Sequence, residues 1–224
     1  MMQTPTPDLH RLPADTLRQV LRSRLAGCRY TDTDLRVGAV SRSSTERLRA
    51  LFPREQTRAA VLIPLIDRGD ELMVLLTHRA SDLKHHPGQI SFPGGRLEAG
   101  DDDAVAAALR ETEEEIGLRR EFVEVIGCLP DHVVISGYRV TPVVGLVQPG
   151  FELVLDPTEV SGTFEAPLRH LLNPATHAGR MHRIGDEELE VLDLSWGDHT
   201  IWGATAGMIL TLRELLGGSP LHGD

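Results

Sequence analysis

The stretch Phe92-Pro-Gly-Gly-Arg-Leu-Glu-Ala-Gly-Asp-Asp-Asp-Ala-Val-Ala-Ala-Ala-Leu-Arg-Glu-Thr-Glu-Glu-Glu-Ile-Gly-Leu118 decides how the rest of the chain is read. It passes from a tight Gly-Gly loop through an acidic helix start and an alanine-rich helix to carboxylates crowded where a helix normally avoids them. Ala104, Ala106, Ala107 and Ala108 are the strongest helix formers, Asp101 to Asp103 suit the positive N-terminal end, and Gly117 suits the stop. At about 100° per residue, Val105, Leu109, Thr112 and Ile116 fall on one narrow stripe, the expected core face, while Glu111, Glu114 and Glu115 share a different flank. Like charges at these spacings repel by a few tenths of a kcal/mol per pair, and Arg110 offsets only part of that. A bound divalent cation would remove the cost, since hard ions such as Mg²⁺ take one or two carboxylates together with substrate phosphates. Read alone, such a run is more often a solvated acidic face, and Glu113, pointing away from the cluster, is assigned to one.

The whole string narrows the choice. Arg110-Glu-Thr-Glu-Glu-Glu-Ile-Gly-Leu118 resembles the second half of the Nudix hydrolase box, Arg-Glu-aliphatic-x-Glu-Glu-x-Gly-aliphatic, with Thr112 in the aliphatic position. The first half of that box reads Gly, five residues, Glu, seven residues, Arg. Here six residues separate Gly95 from Asp102, and seven separate Asp102 from Arg110, so the departures are one inserted residue and Asp for Glu. Upstream, Leu75-Leu-Thr-His-Arg-Ala-Ser-Asp-Leu-Lys-His-His-Pro-Gly-Gln-Ile-Ser-Phe-Pro-Gly-Gly95 looks like the signature of the coenzyme A pyrophosphatase branch, which commonly carries the same insertion. Lys84 stands where that signature has Arg; it keeps the charge but loses the bidentate fork. Weaker likeness continues in Glu159-Val160, Pro167-Leu168 and Trp202-Gly203-Ala204-Thr205.

The resemblance implies an α/β fold, a Nudix-type α/β/α sandwich around a mixed central β-sheet. It implies Glu111, Glu114 and Glu115 as ligands of Mg²⁺ or Mn²⁺, Arg110 holding the carboxylates in position, and Asp102 as the loop carboxylate of the box. The catalytic base differs among branches, and Glu114 and Glu159 are both candidates. Arg79 and Lys84, just ahead of Gly94 and Gly95, stand where a polyphosphate would pass, and these four are the expected substrate-binding residues. The implied reaction is cleavage of coenzyme A, or a close derivative, to adenosine 3',5'-bisphosphate and a phosphopantetheine product. Rivals are a Nudix diphosphatase acting on NADH, ADP-ribose or a nucleoside triphosphate, and a non-catalytic Nudix-fold binding module.

Composition agrees with one soluble enzyme-sized domain: 224 residues, 41% hydrophobic, 25% charged. A formal charge of -10 argues against nonspecific nucleic-acid binding, which draws its affinity from Lys and Arg on phosphates. Cys28 and Cys128 fit no metal spacing and no disulfide framework, and are expected as free thiols. No basic start precedes an apolar run and no apolar stretch is long enough to span a bilayer, so a cytoplasmic protein without membrane partners is expected; a homodimer is compatible with it.

Along the chain, residues 1–13 read as a tail, 14–218 as one domain with a helical N-terminal extension, and 219–224 as a second tail. Helices are expected over 15–25, 45–52, 168–172 and 205–216, and strands over 58–66 and 71–77 as a hairpin, 89–92, 122–129, 138–147 and 160–165, with a further hairpin of 181–184 and 189–194. Pro142 inside 138–147 suggests an edge or a bulge. His85 and His86 are read as loop residues, because adjacent histidines do not converge on one ion. No Gly-x-Ser-x-Gly elbow is present, Ser136-Gly137 reads as a turn, and Asp101 to Asp103 lack the pattern of a calcium loop.

Overall fold

The computed structural model describes residues 8–27, 35–38, 51–53, 55–80, 88–184 and 186–217. Its centre is β1 (Thr57–Asp67), an apolar run buried on both faces. Successive side chains of a strand point to opposite faces. Ala59, Ile63 and Leu65 accordingly join one core cluster, and Ala60, Leu62 and Ile66 the other. β1 runs parallel to β7 (Tyr138–Val147) over the whole of that strand and antiparallel to β2 (Leu72–Arg79). The sheet is mixed and extends through β8 (Val160–Pro167) beyond β2 and β5 (Val123–Cys128) beyond β7, with β6 (His132–Val133) also on β7.

β1 and β2 pair only over Leu65–Asp67 and Leu72–Val74, then splay apart. Residues 90–96 fill the opening. Here β3 (Ile90–Ser91) pairs with β2, Pro93 accepts from the Leu62 amide, and β4 (Gly94–Arg96) pairs with Ala59–Val61 of β1. The Gly-Gly stretch is thus a short strand wedged into the sheet.

The acidic helix α2 (Ala104–Ile116) covers one face, packing Ala107, Ala108 and Ile116 onto Ala60, Leu62 and Val143. Asp103 caps its start by accepting from the Ala106 amide at 2.8 Å, and Gly117 ends it in the left-handed conformation at φ 70°. Thr112 is fully buried at the expected core position, its hydroxyl donating to the Ala108 carbonyl at 2.6 Å. The other face carries α1 (Ala14–Leu25), the single turn α3 (Leu168–Leu171), α4 (Gly203–Leu215), and a three-stranded sheet in the order β11 (His199–Ile201), β10 (Glu187–Trp196), β9 (His177–Ile184). The expected sandwich is present, and the predicted second hairpin is part of a small sheet of its own.

Two expectations need correction. The folded body begins before residue 14: Leu9–Arg11 form one 3₁₀ turn and Leu9 is buried in the core, because residues packed on α3 cannot also be a free tail. Pro142 lies on neither an edge strand nor a bulge of its own strand. It sits inside β7 where the antiparallel partner changes from β5, ending at Cys128–Val143, to β6, starting at His132–Val140. The change of partner leaves a break in the ladder, where a residue without N–H is tolerated. The bulge is in β5, opposite Val144 and Gly145. The readings for Cys28, residues 45–50, Lys84, His85 and His86, residues 1–7, residue 218 and the 219–224 tail lie outside the described residues.

Candidate active site

α2 presents its glutamates to the wedge. Glu115 is only 4% exposed, and its Oε2 accepts from the Gly94 amide at 3.0 Å. One helical turn earlier, Glu111 lies over Gly95 so closely that a Cβ there would meet its carboxylate carbon at 2.4 Å. Gly94 has φ +149°, and a Cβ on it would meet the Ala60 carbonyl oxygen at 2.3 Å. Gly94 is therefore required by the backbone of β1, and Gly95 leaves room for the carboxylate above it.

Burial pushes the Glu115 carboxyl up to about 8, against the opposing pull of the Gly94 amide and Arg79, with Glu159 and Glu111 adding to the rise. Burial also raises Glu111, although Arg110 works the other way. Two of the three glutamates on this flank, Glu111 and Glu115, are thus largely desolvated. Two neighbouring carboxylates held in this state are short of positive charge.

The remaining parts converge from other elements. A register shift between His78 and Arg79 re-aims the end of β2, and the Ala80 amide donates to the Glu159 carbonyl at 2.8 Å. Arg79 and Glu159 consequently line the same cavity as Gly94, Gly95, Glu111 and Glu115. The buried Nε of Arg79 has no hydrogen-bond partner among the described residues. Residues 151–156 reach this corner across the end of α2, where the Val154 and Asp156 amides donate to the Ile116 and Glu115 carbonyls.

Arg110 is the tie. Its Nε and one terminal nitrogen fork onto Asp101 at 3.0 and 2.9 Å, and the other donates to Glu111 at 3.1 Å and Glu114 at 2.9 Å. It also donates to the Arg96 carbonyl at 3.1 Å, so loop, wedge and helix are held by one guanidinium. The fork holds Asp101 down at about 2.

Of the residues chosen from sequence, the structure brings together Glu111, Glu115, Glu159, Arg79, Gly94 and Gly95. Glu114 is exposed, turned to Arg110 and outside the cavity lining. Asp102 is exposed, and its neighbour Asp101 is the loop carboxylate that reaches Arg110. Lys84 lies outside the described residues. Glu113, expected to be solvated, pairs with Arg120 at 2.7 Å.

Sequence reasoning missed Glu98 and the far wall. The cavity, about 670 Å³, continues from the carboxylates past Phe92 and Val140 to Ile184, Val191, Trp202 and Met208. The quoted Trp202-Gly203-Ala204-Thr205 string was the one sequence signal for that wall.

Comparison with known proteins agrees with this geometry. Residues 56–186 match the model of the NUDIX domain, which spans β1 to β9 and contains every carboxylate named above. The chain belongs to the Nudix family. Among its relatives, the Nudix hydrolase NudL of Escherichia coli K12 is 43% identical over 169 residues, covering 73% of this chain and 84% of the relative. NudL of Enterobacter sp. strain 638 is 40% identical over 171 residues, with the same coverage of both chains. Solved structures include a C. elegans Ap4A hydrolase binary complex, at TM-score 0.43 and 21% identity over 49% of this chain and 80% of that one. The Nudix domain of Shewanella oneidensis NrtR with ADP-ribose gives TM-score 0.41 and 18% identity over 54% and 78%. At these values neither structure carries an argument, and the family assignment stands on the domain match and the NudL relatives.

This Nudix chain is therefore a hydrolase of a class that acts on nucleotide diphosphates and uses divalent metal ions. Its residues suit such an ion. Among the described residues no three acidic, imidazole or thiol side chains form a ready-made cage. Mg²⁺, however, binds through one or two carboxylates plus water and substrate phosphate, and Glu111 with Glu115 provide that pair. Among the described residues no helix is long and apolar enough to cross a membrane.

Proposed function

We propose that the protein hydrolyses the diphosphate bond of coenzyme A or a close derivative, giving adenosine 3',5'-bisphosphate and a 4'-phosphopantetheine product, with Mg²⁺ or Mn²⁺. The observation that supports this best is that the second half of the Leu75–Gly95 string, with Arg79 from its first half, lines the cavity on which Glu111 and Glu115 open. Arg79, Gln89, Ile90, Ser91 and Phe92 all contribute to that lining. A site for a bare triphosphate has little use for so long an apolar extension.

In this reading Glu111 and Glu115 hold the metal. When bound, it screens the diphosphate oxygens and lowers the pKa of the attacking water. Glu159 takes the proton of that water as its oxygen attacks one phosphorus and the other phosphate leaves. Its place in the cavity favours it over Glu114, whose carboxylate is engaged by Arg110 on the exposed side. Arg79, whose buried Nε has no partner among the described residues, donates to a diphosphate oxygen. Arg110 positions Glu111 without touching substrate.

The test is a panel of coenzyme A, dephospho-coenzyme A, NADH, ADP-ribose and ATP at equal concentration, with products identified by mass spectrometry. Coenzyme A is expected to have the highest kcat/KM. Faster turnover of NADH or ADP-ribose would move the assignment to another Nudix diphosphatase.

A further inference from the structure

We infer that the indole of Trp202 is the platform on which the purine base of the substrate stacks, and that His182 and Asp193 are positioning residues that hold it there. The inference rests on the substrate being an adenine nucleotide, not on its being coenzyme A. Trp202 and Asp193 lie beyond residue 186, outside the part of the chain that matches the Nudix domain.

The rings are arranged in order. Trp202 lines the cavity; His182 does not, but lies flat against the indole with centroids 4.6 Å apart and planes 10° from parallel. The pair thus shows indole to the cavity and keeps imidazole behind it. Nε2 of His182 is 2.9 Å from Oδ1 of Asp193, a carboxylate only 1% exposed on the neighbouring strand β10. Asp193 pins the imidazole, and the imidazole backs the indole. A tryptophan held only to cover apolar core needs no such support.

A flat aromatic face backed by a second ring selects a flat partner. Base–aromatic stacking is tolerant of base identity and contributes substantially to nucleotide affinity. The flexible, aliphatic pantetheine arm gains area from any apolar surface but nothing from a backed π-face. The placement also suits the span of a nucleotide. Three residues after Trp202, the Thr205 hydroxyl donates to the Ile90 carbonyl at 3.0 Å, which ties the start of α4 to β3. From Ile90 to Gly94 is four residues of chain, at most about 14 Å. Trp202, Arg79, Glu111 and Glu115 line the same cavity, so a base on Trp202 leaves its diphosphate facing the carboxylate end.

The experiment uses the full chain, metal-free in EDTA, titrated with adenosine 3',5'-bisphosphate and separately with 4'-phosphopantetheine, followed by calorimetry and intrinsic fluorescence. The protein has two tryptophans, Trp196 and Trp202. Adenosine 3',5'-bisphosphate is expected to quench the native protein saturably, and Trp202→Phe, which retains Trp196, to lose the quench while its calorimetric Kd stays within about threefold. Trp202→Leu, which keeps apolar area without a π-face, is expected to weaken binding about tenfold or more. In turnover with Mg²⁺ the Leu variant should raise KM and leave kcat within about threefold.

His182→Phe, which keeps a ring behind the indole but loses the Asp193 contact, should bind between the native protein and His182→Ala at comparable thermal stability. Full affinity in Trp202→Leu, or quenching by 4'-phosphopantetheine in place of the nucleotide, would overturn the stack. Equal affinity in the two His182 variants would overturn the positioning role. Loss of coenzyme A turnover in favour of ADP-ribose would sink the substrate reading yet leave the quench intact, so the two failures are distinguishable.

Discussion

The two ends of the cavity are built on opposite principles. At the acidic end nearly every group comes from Ile90–Glu115, one continuous piece of chain folded back on itself, with Arg79 and Glu159 added by the β2–β8 ladder. At the apolar end Val133, Ile184, Val191, Trp202 and Met208 come from five different elements or their junctions. Chemistry that needs several charges within a few ångströms is most economically encoded by residues close in sequence, where helix spacing fixes their relation. A wall that needs only shape and apolarity accepts contributions from anywhere the topology brings together. The acidic end should thus respond to single atoms, and the apolar wall to lost volume or lost faces.

The largest effect that would break this distinction is expected at Glu115. Glu115→Gln, the same shape without the charge, should lower kcat on the order of 10²-fold or more, the scale of a removed electrostatic element at a reacting centre. Because burial already pushes the Glu115 carboxyl up to about 8, the neutral replacement should leave the metal-free protein at least as stable at pH 7. Steady-state kinetics with added Mn²⁺ and thermal melts in EDTA check both halves. Near-normal turnover would remove Glu115 from the metal assignment.

A second comparison separates the two carboxylates that the sequence left open as the base. Glu159→Gln should cost on the order of 10²-fold in kcat, the lower range for general-base removal. Glu114→Gln, which loses one exposed contact to Arg110, should cost less than about fivefold. The reverse order would return the base to the helix and make the observed Glu114–Arg110 pair a resting arrangement.

These residues also mark how far the sequence could be read. α2, its aspartate start and its Gly117 stop were legible because local propensity, capping and periodicity agree over residues 101–117. The β1–β2 hairpin was legible because two apolar runs flank a turn. What covers the glutamate flank was not, since helix spacing groups Glu111, Glu114 and Glu115 equally. It is the wedge of β4 that buries Glu115 and leaves Glu114 outside. Asp101 and Asp102 are the same residue type side by side, and only the loop path decides which meets Arg110. The apolar wall left almost no trace because its members are up to 75 positions apart, from Val133 to Met208.

The adjoining glycines of the wedge sharpen the contrast between packing and chemistry. In Gly94→Ala the new Cβ meets backbone, the Ala60 carbonyl, in a conformation alanine avoids. Stability should fall by at least about 2 kcal/mol. In Gly95→Ala the new Cβ meets only the end of the Glu111 side chain, which can swing away. Urea denaturation should then show a near-native midpoint while kcat drops about tenfold or more, because the displaced carboxylate is one of the two proposed to hold the metal. Equal destabilisation by the two changes would show that Glu111 is held rigidly even without metal.

The smallest effect at neutral pH concerns the seam between the two ends. His132 on β6 is fully buried, with Nδ1 donating to the Pro130 carbonyl at 3.0 Å and Nε2 facing the Thr211 hydroxyl of α4 at 3.2 Å. Burial lowers its pKa from 6.5 to about 4, so the native protein keeps the ring neutral. Above pH 6.5 both folded and unfolded chains carry neutral imidazole, and the stabilisation is complete. As pH falls from 6.5 toward 4, the unfolded chain takes up a proton that the native state refuses. Stability should drop by about 3 kcal/mol in all, at about 1.4 kcal/mol per unit, and level off below 4 as far as this group is concerned. His132→Gln keeps a donor and an acceptor but cannot titrate, so its urea midpoint should change less than the native one between pH 7 and 5. Parallel pH profiles would mean that the seam opens locally to admit the proton, and that α4, with the wall it carries, is held to the sheet by its apolar contacts alone.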